Sequence, residues 1–558
     1  MDAKPPERIT KPPRRGRFFS LPSIVGTAAG AAVFALTVTP SLLPRPWLMQ
    51  GIISGIVFAV AYGIGAFAAW VVRRLTKWEP AVRTRRLAWL VVLVAGVAWV
   101  LVFVAVGAAW QNEVRRLVGV SEVDFLYVLK AVPVAALTAL VLLWLARLLR
   151  SAVRGAARLF GRQAPRWLAT SLGVVVVALV VTVVFAAAFK GFEKVANDVY
   201  GKTNDTTASG VSQPQSVMRS GSSASLVSWR SLGLQGRSFV ARGPSQDQLR
   251  AFNGRQPMEP IRVYVGLESA PTAAARAALA VRELDRTGAF TRKLLVVMGA
   301  TGTGWIEPQS ADPPEYMYNG DTAEVTIQYS FLPSWISFIT DKAKATDAGR
   351  ALFDAVYARW SKLPAAGRPK LIAYGLSLGS FAGQAPFTGA ADFRAHTDGD
   401  YFAGSPNDSQ PWRTLEDARD PGSPEWQPAY ERGGTIRWAA APKDLTPSDS
   451  SWTSPRVLYL QHGSDPVVWW SPRLVLYKPG WLSEPRAPDV SPDTRWFPLV
   501  TFLQVTVDQF LGTSVANGHG HNYGNMTVYA WAAIAAPPGW TADQTQQLQT
   551  TVDSYHIE

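Results

Sequence analysis

The sequence predicts two parts in series: an α-helical transmembrane bundle of five spans, then an α/β domain built on a mainly parallel sheet. Three observations carry that reading. Five long apolar stretches crowd into the first 190 of 558 residues. Short apolar runs alternate with helical patterns from about residue 243 onward, as in a parallel sheet covered by helices. And one of those runs climbs straight into the glycine-flanked serine of "LIAYGLSLGS", residues 371–380.

Residues 18–43, 46–72, 87–112 and 167–189 contain no charged side chain, and 125–146 contains only Lys130, placed near one end where it can snorkel. A helix needs roughly 20 apolar residues to cross the hydrocarbon core, so all five are long enough. The first is too long for a cleaved signal peptide, and a second span follows it after a single arginine, Arg45.

The charges between the stretches set the orientation. Six Lys or Arg lie in residues 1–17, six more in 73–86 and another six in 147–166. The first connection holds only Arg45, and the third holds Arg115 and Arg116 against Glu113, Glu122 and Asp124. Positive charge stays on the cytoplasmic side. The N-terminus is therefore expected inside, and everything beyond residue 189 outside. The three basic segments carry 18 cations against Asp2, Glu7 and Glu79, a balance of +15, while the whole chain sums to +14. The rest of the chain is close to neutral, so the basicity belongs to topology and gives no reason to expect a nucleic-acid partner. With no cysteine in the chain, thiol catalysis, disulfides and cysteine-ligated zinc are excluded.

The expected layout is a basic tail at 1–17, the helical bundle at 18–190, a linker at 191–242 and an outer α/β domain at 243–558. The linker reading rests on residues 202–228, rich in Ser, Thr, Gly, Asn and Gln. In the α/β domain, strands are expected at 261–267, 293–298, 324–329, 369–374, 400–403 and 456–461, with helices at 272–285, 342–363 and 526–535. Residues 404–455 separate two core strands and are expected to form a cap. They carry Trp412, Trp426, Trp438 and Trp452, and Trp469, Trp470, Trp481 and Trp496 follow. Most of these are expected in the core, with some left to line an acyl pocket or rest on the bilayer interface.

Gly375-Leu376-Ser377-Leu378-Gly379 follows an apolar run with the spacing of a nucleophile elbow, a sharp strand-to-helix turn that lifts a serine above the sheet. A serine hydroxyl needs a base to take its proton and an acid to orient that base. In this arrangement the chain order is Ser, then Asp or Glu, then His. "RVLYLQHGSDPVVWW" places Asp465 where an apolar strand breaks, at the edge of a parallel sheet where catalytic groups collect. "ANGHGHNYG" supplies His519 and His521, two of only five histidines. His521 is the favoured base and His519 the alternative. Asp465 is the favoured acid, with Asp408 as fallback. The loop "GATGTGW" suits an oxyanion hole, pairing Thr301, Gly302 and Thr303 with the N–H of Leu378. It does not spell G-x-G-x-x-G, and no Walker lysine follows. His519 and His521 also form a His-x-His pair, but no carboxylate stands at fitting spacing, so neither a metal nor another cofactor is expected.

With "RTGAF", "TGTGW", "QYSFLPSW", "GLSLGS" and "GHGHNYG" in place, residues from about 258 to 535 resemble the membrane-tethered alpha/beta-hydrolase family of actinobacterial envelopes. Members of that family carry a multi-span N-terminal region, so the resemblance covers most of the chain. It implies a serine-hydrolase-like fold with a Ser377–Asp465–His521 site and names no substrate. The family's elbow often has an acid where Leu376 stands, a departure that bears on the oxyanion surroundings more than on the nucleophile. The expected function is a membrane-anchored serine esterase, lipase or acyltransferase acting on lipid or envelope esters. A catalytically silent hydrolase fold that binds lipid or partner proteins, or a transport accessory, stands as the alternative.

Overall fold

A computed structural model describes residues 22–77, 81–161, 164–446 and 451–554. The basic tail at 1–17, Glu79 and Arg162 lie outside the described residues. The chain divides into a helical unit, within Met1–Val38, Pro46–Ala108 and Asp124–Ala186, and an α/β unit, within Thr39–Arg45, Ala109–Val123 and Ala187–Glu558.

The N-terminal region runs through α1 (Ile24–Thr37), α2 (Trp47–Thr76), α3 (Val82–Leu117), α4 (Phe125–Leu129), α5 (Ala131–Phe160) and α6 (Arg166–Asn204). Among the described residues, four helices are long and apolar enough to cross a membrane: α2, α3, α4 with α5 as Phe125–Phe160, and α6. The fifth expected span is not of that length. Helix α1 has 14 residues, about 21 Å at 1.5 Å per residue, against a hydrocarbon core of about 30 Å. Ser23 caps its start by accepting from Gly26 N, and the chain leaves the helix at Val38. Residues 39–43, counted with this apolar run, fold instead into the α/β unit. Small residues let α2 approach α5 closely: a Cβ added at Gly55 would stand 2.5 Å from Thr138. Helices α3 and α6 expose Leu90, Val94, Leu101, Val180, Val183 and Phe185, a surface suited to lipid.

Residues 205–228, expected as a flexible linker, are instead pinned to the α/β unit. Arg237 donates to Asp205 O (2.7 Å), Thr206 O (2.8 Å) and Thr207 Oγ1 (3.1 Å). Glu283 accepts from Ser225 Oγ, Leu226 N and Val227 N, and Arg219 bridges to Arg262 in the first strand. Composition suggested a tether because these residues bury little apolar surface of their own. Their order comes from charged side chains elsewhere that satisfy their backbone.

Among the described residues, seven strands form one parallel sheet, in the order β1-β3-β2-β4-β5-β7-β6. They are β1 (Ile261–Val265), β2 (Leu294–Gly299), β3 (Thr322–Ile327), β4 (Lys370–Leu376), β5 (Gly399–Ala403), β6 (Ile436–Ala439) and β7 (Arg456–Leu460). The near-continuous apolar runs of β2, β4 and β7 suit strands covered on both faces. The covering helices are α7 (Gly233–Ala241), α8 (Gln246–Asn253), α9 (Ala273–Thr287), α10 (Pro308–Met317), α11 (Ser334–Thr340), α12 (Lys342–Trp360), α13 (Leu378–Gly383), α14 (Ala390–His396), α15 (Trp412–Asp417), α16 (Pro466–Trp469), α17 (Val500–Asp508), α18 (Thr527–Ala535) and α19 (Ala542–Asp553). The expected cap at 404–455 is largely part of this framework, since it supplies α15 and the edge strand β6. At four residues, β6 is too short to stand out from its surroundings.

Candidate active site

Ser377 sits where β4 turns into α13, with φ 58° and ψ −127°. A non-glycine residue at that φ is strained, and such strain persists only where its surroundings over-determine it. Here the surroundings are backbone. Ser377 N donates to Ala403 O at 2.8 Å, and α13 presses on the end of β2 so tightly that a Cβ at Gly379 would stand 2.3 Å from Gly299 O. The glycine spacing is therefore a packing requirement of the turn, and Ser377 is the residue it lifts to the carboxyl edge of the sheet.

Asp465 follows β7 and caps α16, accepting from Val467 N at 2.8 Å through Oδ1. Its other oxygen faces His521 Nδ1 at 2.7 Å and accepts from the Tyr523 hydroxyl at 2.6 Å. The carboxylate is fully buried. The imidazole is held in turn by its backbone, since His521 N donates to Gly512 O at 2.7 Å. His462 stacks on Tyr523, with centroids 4.3 Å apart and planes within 9°. His521 Nε2 has no hydrogen-bond partner. That atom is buried, and His521 and Ser377 both line one cavity. Burial alone would depress the His521 pKa. The Asp465 charge and hydrogen bond, with Glu307 adding to them, outweigh burial and hold it above its ordinary value.

The structure does not bring the alternatives to this point. Asp408 pairs with Lys342 and its side chain is 59% exposed. His519 Nδ1 is buried without a partner, and His519 is absent from the cavity wall. Of the oxyanion candidates, Leu378, Thr301 and Thr303 line the cavity and Gly302 does not. The Thr301 N–H is already committed to Trp305 O at 3.1 Å. That leaves the first-turn N–H of Leu378, which a helix start cannot satisfy internally, and the backbone at Thr303.

The cavity has a volume of 1090 Å³, at the top of the range of roughly 300–1,000 Å³ usual for small-molecule sites. None of the eight tryptophans between Trp412 and Trp496 lines it; its aromatic wall is Phe239, Trp305, Trp335, Phe338 and Phe510. The expected cap contributes only Pro406. Two residues beside the Ser-Asp-His set escaped the sequence reading. One is Tyr523, although it sits in the quoted "GHGHNYG". The other is Glu307, which caps α10, lines the cavity, and accepts from Ser310 Oγ at 2.6 Å. Burial raises the Glu307 carboxyl, while Ser310 and His521 work against that rise. A lone glutamate beside a proline carries no motif, and only the carboxyl edge of β2 could have pointed to it.

Comparison with known proteins gives two matches. Residues 261–548 match the alpha/beta-hydrolase family, and residues 38–244 match the N-terminal region of an alpha/beta-hydrolase family. No curated protein and no solved structure matches the chain.

Proposed function

The chain belongs to the alpha/beta-hydrolase family, and from that premise we propose that it is a membrane-anchored serine hydrolase of esterase, lipase or acyltransferase type. One observation carries the reading: Asp465 holds His521 Nδ1 at 2.7 Å and leaves Nε2 without a partner among the described residues, and His521 and Ser377 line the same cavity. Ser377 Oγ attacks an ester carbonyl and passes its proton to His521 Nε2, and Asp465 stabilises the imidazolium. Leu378 N–H, with the backbone at Thr303, receives the oxyanion. Collapse breaks the ester C–O bond, and the leaving alcohol takes the proton from His521. Water or a second alcohol then gives its own proton to His521 and releases the acyl group from Ser377.

The outer face of the membrane suits this domain. The first and third connections, the two poor in positive charge, supply Thr39–Arg45 and Ala109–Val123 to the α/β unit. Asp508 accepts from Ser41 Oγ (2.6 Å) and Leu42 N (3.1 Å), and Ser491 Oγ donates to Glu113 at 3.0 Å.

Labelling by a fluorophosphonate probe tests the nucleophile. The full chain should be labelled, and Ser377→Ala should lose the label. A folded wild-type chain that takes no label would overturn the reading.

A further inference from the structure

The cavity wall changes character on one side. Ser334, Trp335 and Phe338 come from α11, and Gln509, Phe510 and Thr513 come from the turn after α17. Trp335 is 44% exposed and Phe510 56%, although both rings reach the cavity. Next to them, Ile339 is exposed as well. The rings form a connected series. Phe192 lies 6.2 Å from Trp335 between centroids, and Trp335 lies 5.9 Å from Phe510, edge-on at 66°. Phe192 is on α6, in the stretch that belongs to the α/β unit, and Val195 and Val199 on the same stretch are exposed. Ala196, Leu332 and Ile336 are buried together beneath, with Tyr200 and Phe331 against them, and fix α11 on α6.

Large apolar side chains left exposed in a continuous row mark a binding surface. This row has two ends. One is the cavity that holds Ser377 and His521. The other is α6, one of the four helices long and apolar enough to cross a membrane. Phe192 follows the charge-free run at 167–189 by three residues, less than one helical turn. An occupant must then be apolar, extended, and drawn from the medium that surrounds an apolar helix.

We propose that Phe192, Trp335 and Phe510 form an acyl-chain portal, so that the ester taken by this site is that of a bilayer lipid with a long acyl chain. The chain enters along α6, passes between α11 and the 509–513 turn, and brings its carbonyl to Ser377. The proposal rests on the reading of Ser377 as nucleophile and adds the substrate class. Each methylene removed from water is worth roughly a fourfold gain in binding. If the row shelters two methylenes, long-chain esters gain roughly fifteenfold over short ones from it.

The test uses the full chain in phospholipid vesicles, with nitrophenyl butyrate and nitrophenyl palmitate as probes. Wild type should prefer the palmitate in kcat/KM. The Trp335→Ala, Phe510→Ala double variant should lose roughly fifteenfold of that preference, while Trp335→Phe retains it. Fluorophosphonate labelling of each variant reports whether the nucleophile and fold survive. A labelled wild type that prefers butyrate overturns the portal and leaves the nucleophile standing. So does a labelled double variant whose preference is unchanged. If the double variant fails to label, Phe192→Ser, on α6 and outside the cavity wall, replaces it under the same criteria. An unlabelled, folded wild type removes the nucleophile and the portal with it.

Discussion

At His521 the local charges determine how the site should respond to pH. Base catalysis requires the neutral imidazole. Asp465 and Glu307 favour the protonated form, and together they prevail over burial. The activity of the free protein should therefore rise with pH through a midpoint above about 6.5, the ordinary histidine value. Glu307→Gln removes one of the two charges, so the midpoint in kcat/KM should move to lower pH; an unmoved midpoint would separate Glu307 from the base. His521→Ala should abolish turnover of a short ester, and His519→Ala should leave most of it. Asp465→Asn should lower kcat by about 10⁴-fold, because the imidazole loses the partner that fixes its tautomer.

At the scale of elements, α10 does more than cover the sheet. It begins at Glu307 in the cavity and carries Asp312 and Glu315 to Arg262 on β1, at 2.6 and 2.7 Å. Arg262 is nearly fully buried and lies over the Phe239 ring at 5.0 Å. Removing one member of such a set strands the others, so Arg262→Ala should cost about 3–5 kcal/mol of stability, read as a lowered unfolding midpoint. Glu324, its register partner on β3, is different. Neither of its oxygens has a hydrogen-bond partner among the described residues, and burial, helped by the Glu315 charge, pushes its carboxyl well up. Glu324→Gln should leave that midpoint nearly unchanged. Little of this network was legible in the sequence, because Arg262 lies 50 and 53 residues from its partners, and Asp312 and Glu315 look like surface helix charges. The sheet was more legible. β2, β4 and β7 are apolar runs ending in glycine-rich turns, and each ends within one to five residues of a candidate site residue. β6 was hidden because "IRWA" lies among prolines and tryptophans that suggested a cap. Residues 39–43 were hidden because apolar composition alone does not separate a lipid-facing segment from one buried in protein.

For the whole molecule, the two connections that fold into the α/β unit fix the parity of the crossings. If the four long helices span, α2 with α3 is one excursion away from that unit's side of the membrane and back, and α4 through α6 is a second. The side of the α/β domain then depends on the turns between α2 and α3 and between α5 and α6, both flanked by arginines in the adjoining helix ends, and the short α1 decides only where the N-terminus lies. A reporter active only in the cytoplasm should give no signal after Glu558 and a clear one when inserted at residues 78–80. The reverse pattern would invert the topology.

The Asp508 cradle also has a consequence in time. Its partner Leu42 precedes it by 466 residues, and Arg45 and Asp508 are both fully buried. Chains are synthesised at about 5–20 residues per second, so the first connection waits on the order of half a minute or more before the residue that will hold it exists. During that wait Leu42 and Leu43, both without exposed surface in the finished fold, have nothing of their own to pack against. The α/β domain cannot close around a segment that has not yet been delivered to its side. Delivery of the first connection must therefore precede closure of the domain around it, and a chain released without its N-terminal region would leave Asp508 without Ser41, Leu42 and Arg45.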